Sequence, residues 1–141
     1  MSTEENKAVI RRYFDVVWNQ GKVDVVHEFV ADNVLAYDAT DREPRIGFDS
    51  VKQVAILFHS AFPDMQCPLH DLLADGDKVV ARWSLHGTQR GAFMGAPASG
   101  KTVNVTGIVI YRLENCKIVE YWGNFDTLGL MKQVGAKVNA G

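Results

Sequence analysis

The main change in the spacing of apolar residues along the chain comes at Pro63. Before Pro63 they recur every three or four positions, and after Met65 every second position. In the first part Ile10, Tyr13, Phe14, Val17 and Trp18 form a helical stripe. Ser2 with Glu5 makes a capping box at its start, and Asn19-Gln20-Gly21 ends it. Val23–Val30 reads as a second, short helix with Val25, Val26 and Phe29 turned inward. Val34–Tyr37 reads as a short strand and the polar run Asp38–Pro44 as an exposed loop. A third helix opens at Gly47–Ser50, with Asp49 or Ser50 as its cap. Val51, Val54, Ala55, Phe58 and Phe62 face inward, and Pro63 stops the helix.

From Met65 the period of two predicts strands. Met65–Asp75 is loosened by Pro68 and ends in the hairpin turn Asp75-Gly76-Asp77. Lys78–Gly87 is the clearest strand: Val79, Ala81, Trp83 and Leu85 share one face, and Val80, Arg82, Ser84 and His86 the other. Gly87–Lys101 is glycine-rich, but Gly95, Gly100, Lys101 and Thr102 do not form a phosphate loop, because a strand and not a helix follows. Thr102–Leu113, a turn at Glu114–Lys117 and a last strand complete the series. Beyond it, Leu128, Met131 and Val134 return to helical spacing. Three helices, then four long antiparallel strands, then a helical tail define the α+β class. Hairpins of this length bent around helices make a cone-shaped half-barrel whose mouth is a natural pocket.

Composition narrows the function. The chain has 141 residues, read as one domain over 1–141 and large enough to enclose a cavity. Hydrophobic residues are 47%, charged residues 23%, and the net charge is −2. No Lys/Arg block offers the counterion release that nucleic acid requires. No apolar run has the length of a membrane span, and the N-terminus lacks the order of a signal peptide, so the cytosol is the expected compartment. Cys67 and Cys116 are isolated and make no metal spacing with His27, His59, His70 or His86, so no metal is expected.

The last strand carries the candidate chemistry. Trp122, Asn124 and Asp126 alternate onto one strand face. Burial of Asp126 among apolar neighbours would raise its carboxyl pKa into a range useful for acid/base work. Aspartate is equally a favoured N-cap for the helix that begins at Thr127. The two readings are compatible. Tyr13 and Trp18 read first as core, with a cavity roof as the alternative.

The order of elements resembles the nuclear transport factor 2-like (cystatin-like) fold, a strongly curved sheet wrapped around three N-terminal helices, also used by ketosteroid isomerases. Within it the chain resembles the SnoaL-like polyketide and ester cyclases. The resemblance rests on Trp18-Asn19, Ala61-Phe62-Pro63-Asp64, Gly87-Thr88 through Gly95, Tyr111-Arg112-Leu113, and above all Asp126-x-x-Gly129-Leu130 with Gln133 and Gly135. It implies a homodimer associating through the sheet, a hydrophobic pocket for a small apolar carbonyl compound, and no cofactor. It implies Asp126 as acid/base for an intramolecular aldol closure, with isomerisation or plain ligand binding as alternatives. Phe14, Trp18, Tyr37, Phe58, His59, Trp83, Gln89, Phe93, Trp122 and Asn124 are the candidate pocket residues. The chain departs from the family in one respect: Thr106-Gly107-Ile108-Val109-Ile110 carries no histidine on the strand before the last, and Gln89 stands where many relatives have histidine.

Overall fold

The computed structural model describes residues 2–136, so the ends of the expected 1–141 span lie outside it. Helix α1 runs Thr3–Tyr13, with the Ser2 hydroxyl accepting from Glu5 N at 3.0 Å as the capping box predicts. The helix then widens into a π-helical stretch, Phe14–Asn19, whose five-residue hydrogen bonds end with Gln20 N donating to Asp15 O. Gly21 leaves it at φ +74°, a left-handed angle that suits glycine. The predicted second helix is a 3-10 turn, Val23–Glu28. Helix α2, Phe48–Ala61, begins two or three residues earlier than expected: Gly47 is its N-cap, and neither Asp49 nor Ser50 caps it. The Ser50 hydroxyl instead donates back to Gly47 O.

There are six strands: β1 Val30–Asp38, β2 Arg45–Ile46, β3 Leu69–Asp75, β4 Lys78–Thr88, β5 Thr102–Glu114 and β6 Lys117–Phe125; β2 was not expected, and β3 starts at Leu69 rather than Met65, beyond Pro68. They form one open, curved sheet in the order β2-β1-β6-β5-β4-β3. The expectation of an antiparallel sheet needs one correction. β1 is longer than the predicted Val34–Tyr37 and pairs with β6 in parallel, Tyr37 beside Trp122 and Asp38 beside Gly123. Local alternation sets which residues share a face, but it does not say which strand is the neighbour.

Strict alternation on β5 separates the faces. Val103, Val105, Val109, Tyr111 and Leu113 are buried, while Ile108 and Ile110 between them are exposed at 50% and 36%. The buried face meets Ile10, Tyr13, Phe14 and Val17 of the first helical segment and Val51 and Ala55 of α2. Each such large side chain, fully buried, contributes about 1.5–3 kcal/mol. Helix α3, Thr127–Gln133, docks by Leu130, which is fully buried, and by Val134 just beyond it. Leu128, which shares the predicted stripe, is half exposed. Gln133 fastens α3 to β5 by accepting from Asn104 N and donating to Asn104 O.

Candidate active site

Several aromatic side chains meet edge to face, an arrangement that the charge distribution of their rings favours. Between the helices and the inner face of the sheet they surround a cavity of about 280 Å³. Its roof is Tyr13, Phe14 and Trp18 from the first helical segment with Val54, Leu57 and Phe58 from α2. Its floor is Trp83 from β4, Val109 and Tyr111 from β5, and Tyr121, Gly123 and Phe125 from β6. Phe93 and Met94 of the glycine-rich loop close one side. Trp83 lies flat against Phe125, with centroids 5.4 Å apart and planes 6° apart. Gly107 permits this: a Cβ there would stand 2.8 Å from the indole of Trp83.

One end of the cavity is polar. Asp38 closes β1 on the inner face, and Arg45 of β2 donates to its carboxylate through Nη2. The same Nη2 lies 3.4 Å from the Tyr121 hydroxyl, and Nη1 is 3.6 Å from Asp41. Both Asp38 and Arg45 retain about a third of their side-chain exposure, 31% and 27%, so solvent weakens the pair. Arg45 Nε is buried and without a partner among the described residues. Gly123 makes room for the acid, since a Cβ there would stand 3.0 Å from Asp38 Oδ1.

Three phenols run inward from this end. Tyr121 packs on Tyr111 at 5.6 Å between centroids, and Tyr111 on Tyr13 at 6.1 Å. Burial raises the pKa of all three above the ordinary tyrosine value, with Arg45 offsetting part of the rise at Tyr121. They are therefore neutral O–H donors throughout the physiological range.

The candidate residues divide between cavity and scaffold. Phe14, Trp18, Phe58, Trp83, Phe93 and Asn124 belong to the lining. Tyr37 and Trp122 do not: they stack on each other, 5.8 Å apart and 8° from parallel, on the outer face of the sheet. His59 binds the carbonyl of Val17 through Nε2 at 2.9 Å, satisfying an acceptor of the π-helical stretch, and its ring stacks on Trp18. Gln89 is fully buried. It donates to Ala96 O and accepts from Ser99, bracing the glycine-rich loop. Asp126 is exposed and is the N-cap of α3, its Oδ1 accepting from Gly129 N at 2.8 Å. It is outside the lining, although Phe125 and Thr127 on either side of it belong there.

Sequence reading missed the polar end. Asp38–Pro44 looks like an exposed loop, and Ala39–Glu43 is exposed, but Asp38 and Arg45 at its two ends are half buried against Tyr121. The available signal was the phase of β1. Val34, Ala36 and Asp38 share a parity, and the first two are fully buried. No helix among the described residues is long and apolar enough to cross a membrane.

Comparison with known proteins agrees with this architecture. No curated protein matches the chain. Among solved structures, TsrD from Streptomyces laurentii is 25% identical and superposes with a TM-score of 0.86 over 97% of this chain and 99% of its own. A SnoaL-like polyketide cyclase from Agrobacterium tumefaciens is 25% identical, with a TM-score of 0.77 over 96% and 100%. AclR from Streptomyces galilaeus, 24% identical, shares the fold with a TM-score of 0.83 over 95% and 98%. The model of the SnoaL-like polyketide cyclases matches residues 8–134, and the chain belongs to that family.

Proposed function

We propose that the protein is a cofactor-independent acid/base enzyme that forms and uses an enolate of a small, largely apolar carbonyl compound, with Asp38 as the base. The observation that carries this reading is the meeting of one carboxylate, one guanidinium and buried neutral phenols at the polar end of an aromatic cavity. Asp38 removes a proton alpha to a carbonyl, and the electron pair of that C–H bond becomes the enolate. In a cyclisation the enolate carbon attacks a second carbonyl carbon of the same molecule. A C–C bond forms, and the new alkoxide takes the proton back from Asp38. Arg45 pairs with the Asp38 carboxylate and fixes its place at the polar end of the cavity. Phenol O–H donors at fixed positions in the aromatic cavity stabilise the enolate oxygen, commonly the larger catalytic contribution. This donor set takes the place of the histidine that the preceding strand lacks.

The experiment is Asp38→Asn, assayed by exchange of the alpha protons of an aryl ketone for deuterium, followed by NMR in D2O. Exchange catalysed by the wild type and reduced about 10²–10⁴-fold in the variant supports the reading. Equal exchange by the two proteins overturns it.

Asp126 is the second reading, favoured by the family pattern and by its position between two lining residues, Phe125 and Thr127. An isomerase uses the same first step and returns the proton to a different carbon. A plain binding protein gives no exchange at all.

The same proposal includes a homodimer through the outer face of the sheet. Leu73, Ile108 and Ile110 are exposed there, with the stacked Tyr37 and Trp122 beside them. Sedimentation tests it: a monomer at high concentration removes the dimer from the proposal.

A further inference from the structure

A second cluster lies on the outer face of the sheet, on β3 and β4. Ser84 and His86 share that face of β4, and His70 reaches them from the edge strand β3, where the pairing register slips between Leu69 and Asp71. His70 Nε2 is 2.7 Å from Ser84 Oγ, and His86 Nε2 is 3.0 Å from the same atom. Ser84 is 3% exposed, whereas both imidazoles are exposed. Two ring nitrogens from two strands thus point at one place in space. The hydroxyl that occupies it has a single proton: it donates to one ring and accepts from the other.

We infer that His70 and His86 form a binding site for a borderline divalent transition ion, Zn²⁺, Ni²⁺ or Cu²⁺. Imidazole nitrogen is the ligand these ions favour, and two nitrogens aimed at one point already make the costly part of the geometry. Both rings are exposed, so contracting from hydrogen-bond length to about 2.0–2.1 Å needs only side-chain rotation, with the Ser84 hydroxyl turning to another staggered position. No group of three or more His, Cys, Asp or Glu side chains is assembled for a metal among the described residues, so water completes the coordination. Asp64 supplies the nearby negative charge, as it lines the same surface groove as His86, together with Gln66 and Asn104. Asp71 beside His70 is already paired with Arg82. The neighbouring cross-strand rows, Ser84–Thr106 and His86–Asn104, are polar, so the site lies beyond the apolar rows proposed for the dimer. An ion here would tie the edge strand to β4. The inference is independent of the acid/base reading, because none of its residues lines the cavity.

The test titrates the untagged full-length chain with CuCl2 and ZnCl2. The expected result is one ion per chain, saturating well below about 1 mM, the range of weak nonspecific association. Cu²⁺ should show electron-spin coupling to two imidazole nitrogens, and Zn²⁺ should raise Tm. His70→Ala and His86→Ala should each weaken binding by at least about tenfold, the loss seen even for outer-shell partners. Ser84→Ala should bind as tightly as the wild type or more so, and Asp38→Asn should bind unchanged. Unchanged binding in His70→Ala, coupling to a single nitrogen, or no saturation by 1 mM (about the limit set above) overturns the inference.

Discussion

Asp38 and Asp126 stand at the same end of two neighbouring parallel strands, yet they meet opposite surroundings. Asp38 is level with Gly123 and shares its parity, so it falls on the inner face with Tyr121 and Phe125. Asp126 has the parity of Trp122 and Asn124 and comes one residue past the end of β6. There it meets an open helix N-terminus, where three or four unpaired N–H groups attract an acceptor. One carboxylate is held by a guanidinium beside phenols, the other by a backbone amide. Two acids of the same chemistry are sorted by a single step of strand register and by which unsatisfied donor lies within reach.

The sharpest way to break this contrast is to neutralise each acid. Asp38→Asn should lower ketone exchange about 10²–10⁴-fold. Asp126→Asn should leave exchange near the wild-type rate, because asparagine caps as well as aspartate does. The reverse pattern would make Asp126 the base and Asp38 a structural anion. Tyr121→Phe should come next, slowing exchange about 10²-fold or more if its hydroxyl stabilises the enolate oxygen, with Tm nearly unchanged. An unaltered rate would confine Tyr121 to packing. Gly107→Ala presses on Trp83 at 2.8 Å and should cost about 1–3 kcal/mol in urea unfolding while weakening aryl ligands. An unchanged midpoint would show that Trp83 moves freely.

Gly129→Ala probes the other acid. Its methyl group would collide with the Asp126 carboxylate and should cost about 0.5–2 kcal/mol, the value of a lost cap. If turnover fell further than stability in that variant, the turn would hold more than a cap. The smallest effect is expected at Asp64, which accepts from both Thr88 N and Thr88 Oγ. Those bonds lower its pKa below the ordinary carboxyl value. A depressed folded pKa adds stability above the unfolded value and loses it as pH falls through the folded one. Asp64→Asn should therefore cost no more than about 1 kcal/mol at pH 7, since the group is exposed. The gap from wild type should close as the medium is acidified below about pH 4, near the unfolded aspartate value. A gap that persisted in acid would point to geometry rather than charge.

Much of the scaffold was legible because its information is local. The capping box at Ser2, the stop at Pro63, the turn at Asp75–Asp77 and the alternation through Lys78–Gly87 each depend on a few neighbouring residues, and each reappears in the structure. Trp18, Phe58 and Trp83 stand at inward positions of periodic segments, and they do line the cavity, as does Phe93 of the glycine-rich loop. His59 and Gln89 were expected among the pocket residues. Their satisfied hydrogen bonds, to Val17 O and to Ala96 and Ser99, depend on partners that local pattern does not reveal.

The amino-acid sequence determined the elements, their faces and the family, because periodicity, caps and turn chemistry act over a few residues. Tertiary structure alone decided that β1 lies parallel beside β6. That pairing brings Arg45 to Tyr121 across 76 positions and turns the end of a polar loop into the charged end of an aromatic cavity. Neither residue carries a local mark of the other, since a hydrogen bond depends on distance in space and the strand order that sets this distance is a property of the packed core.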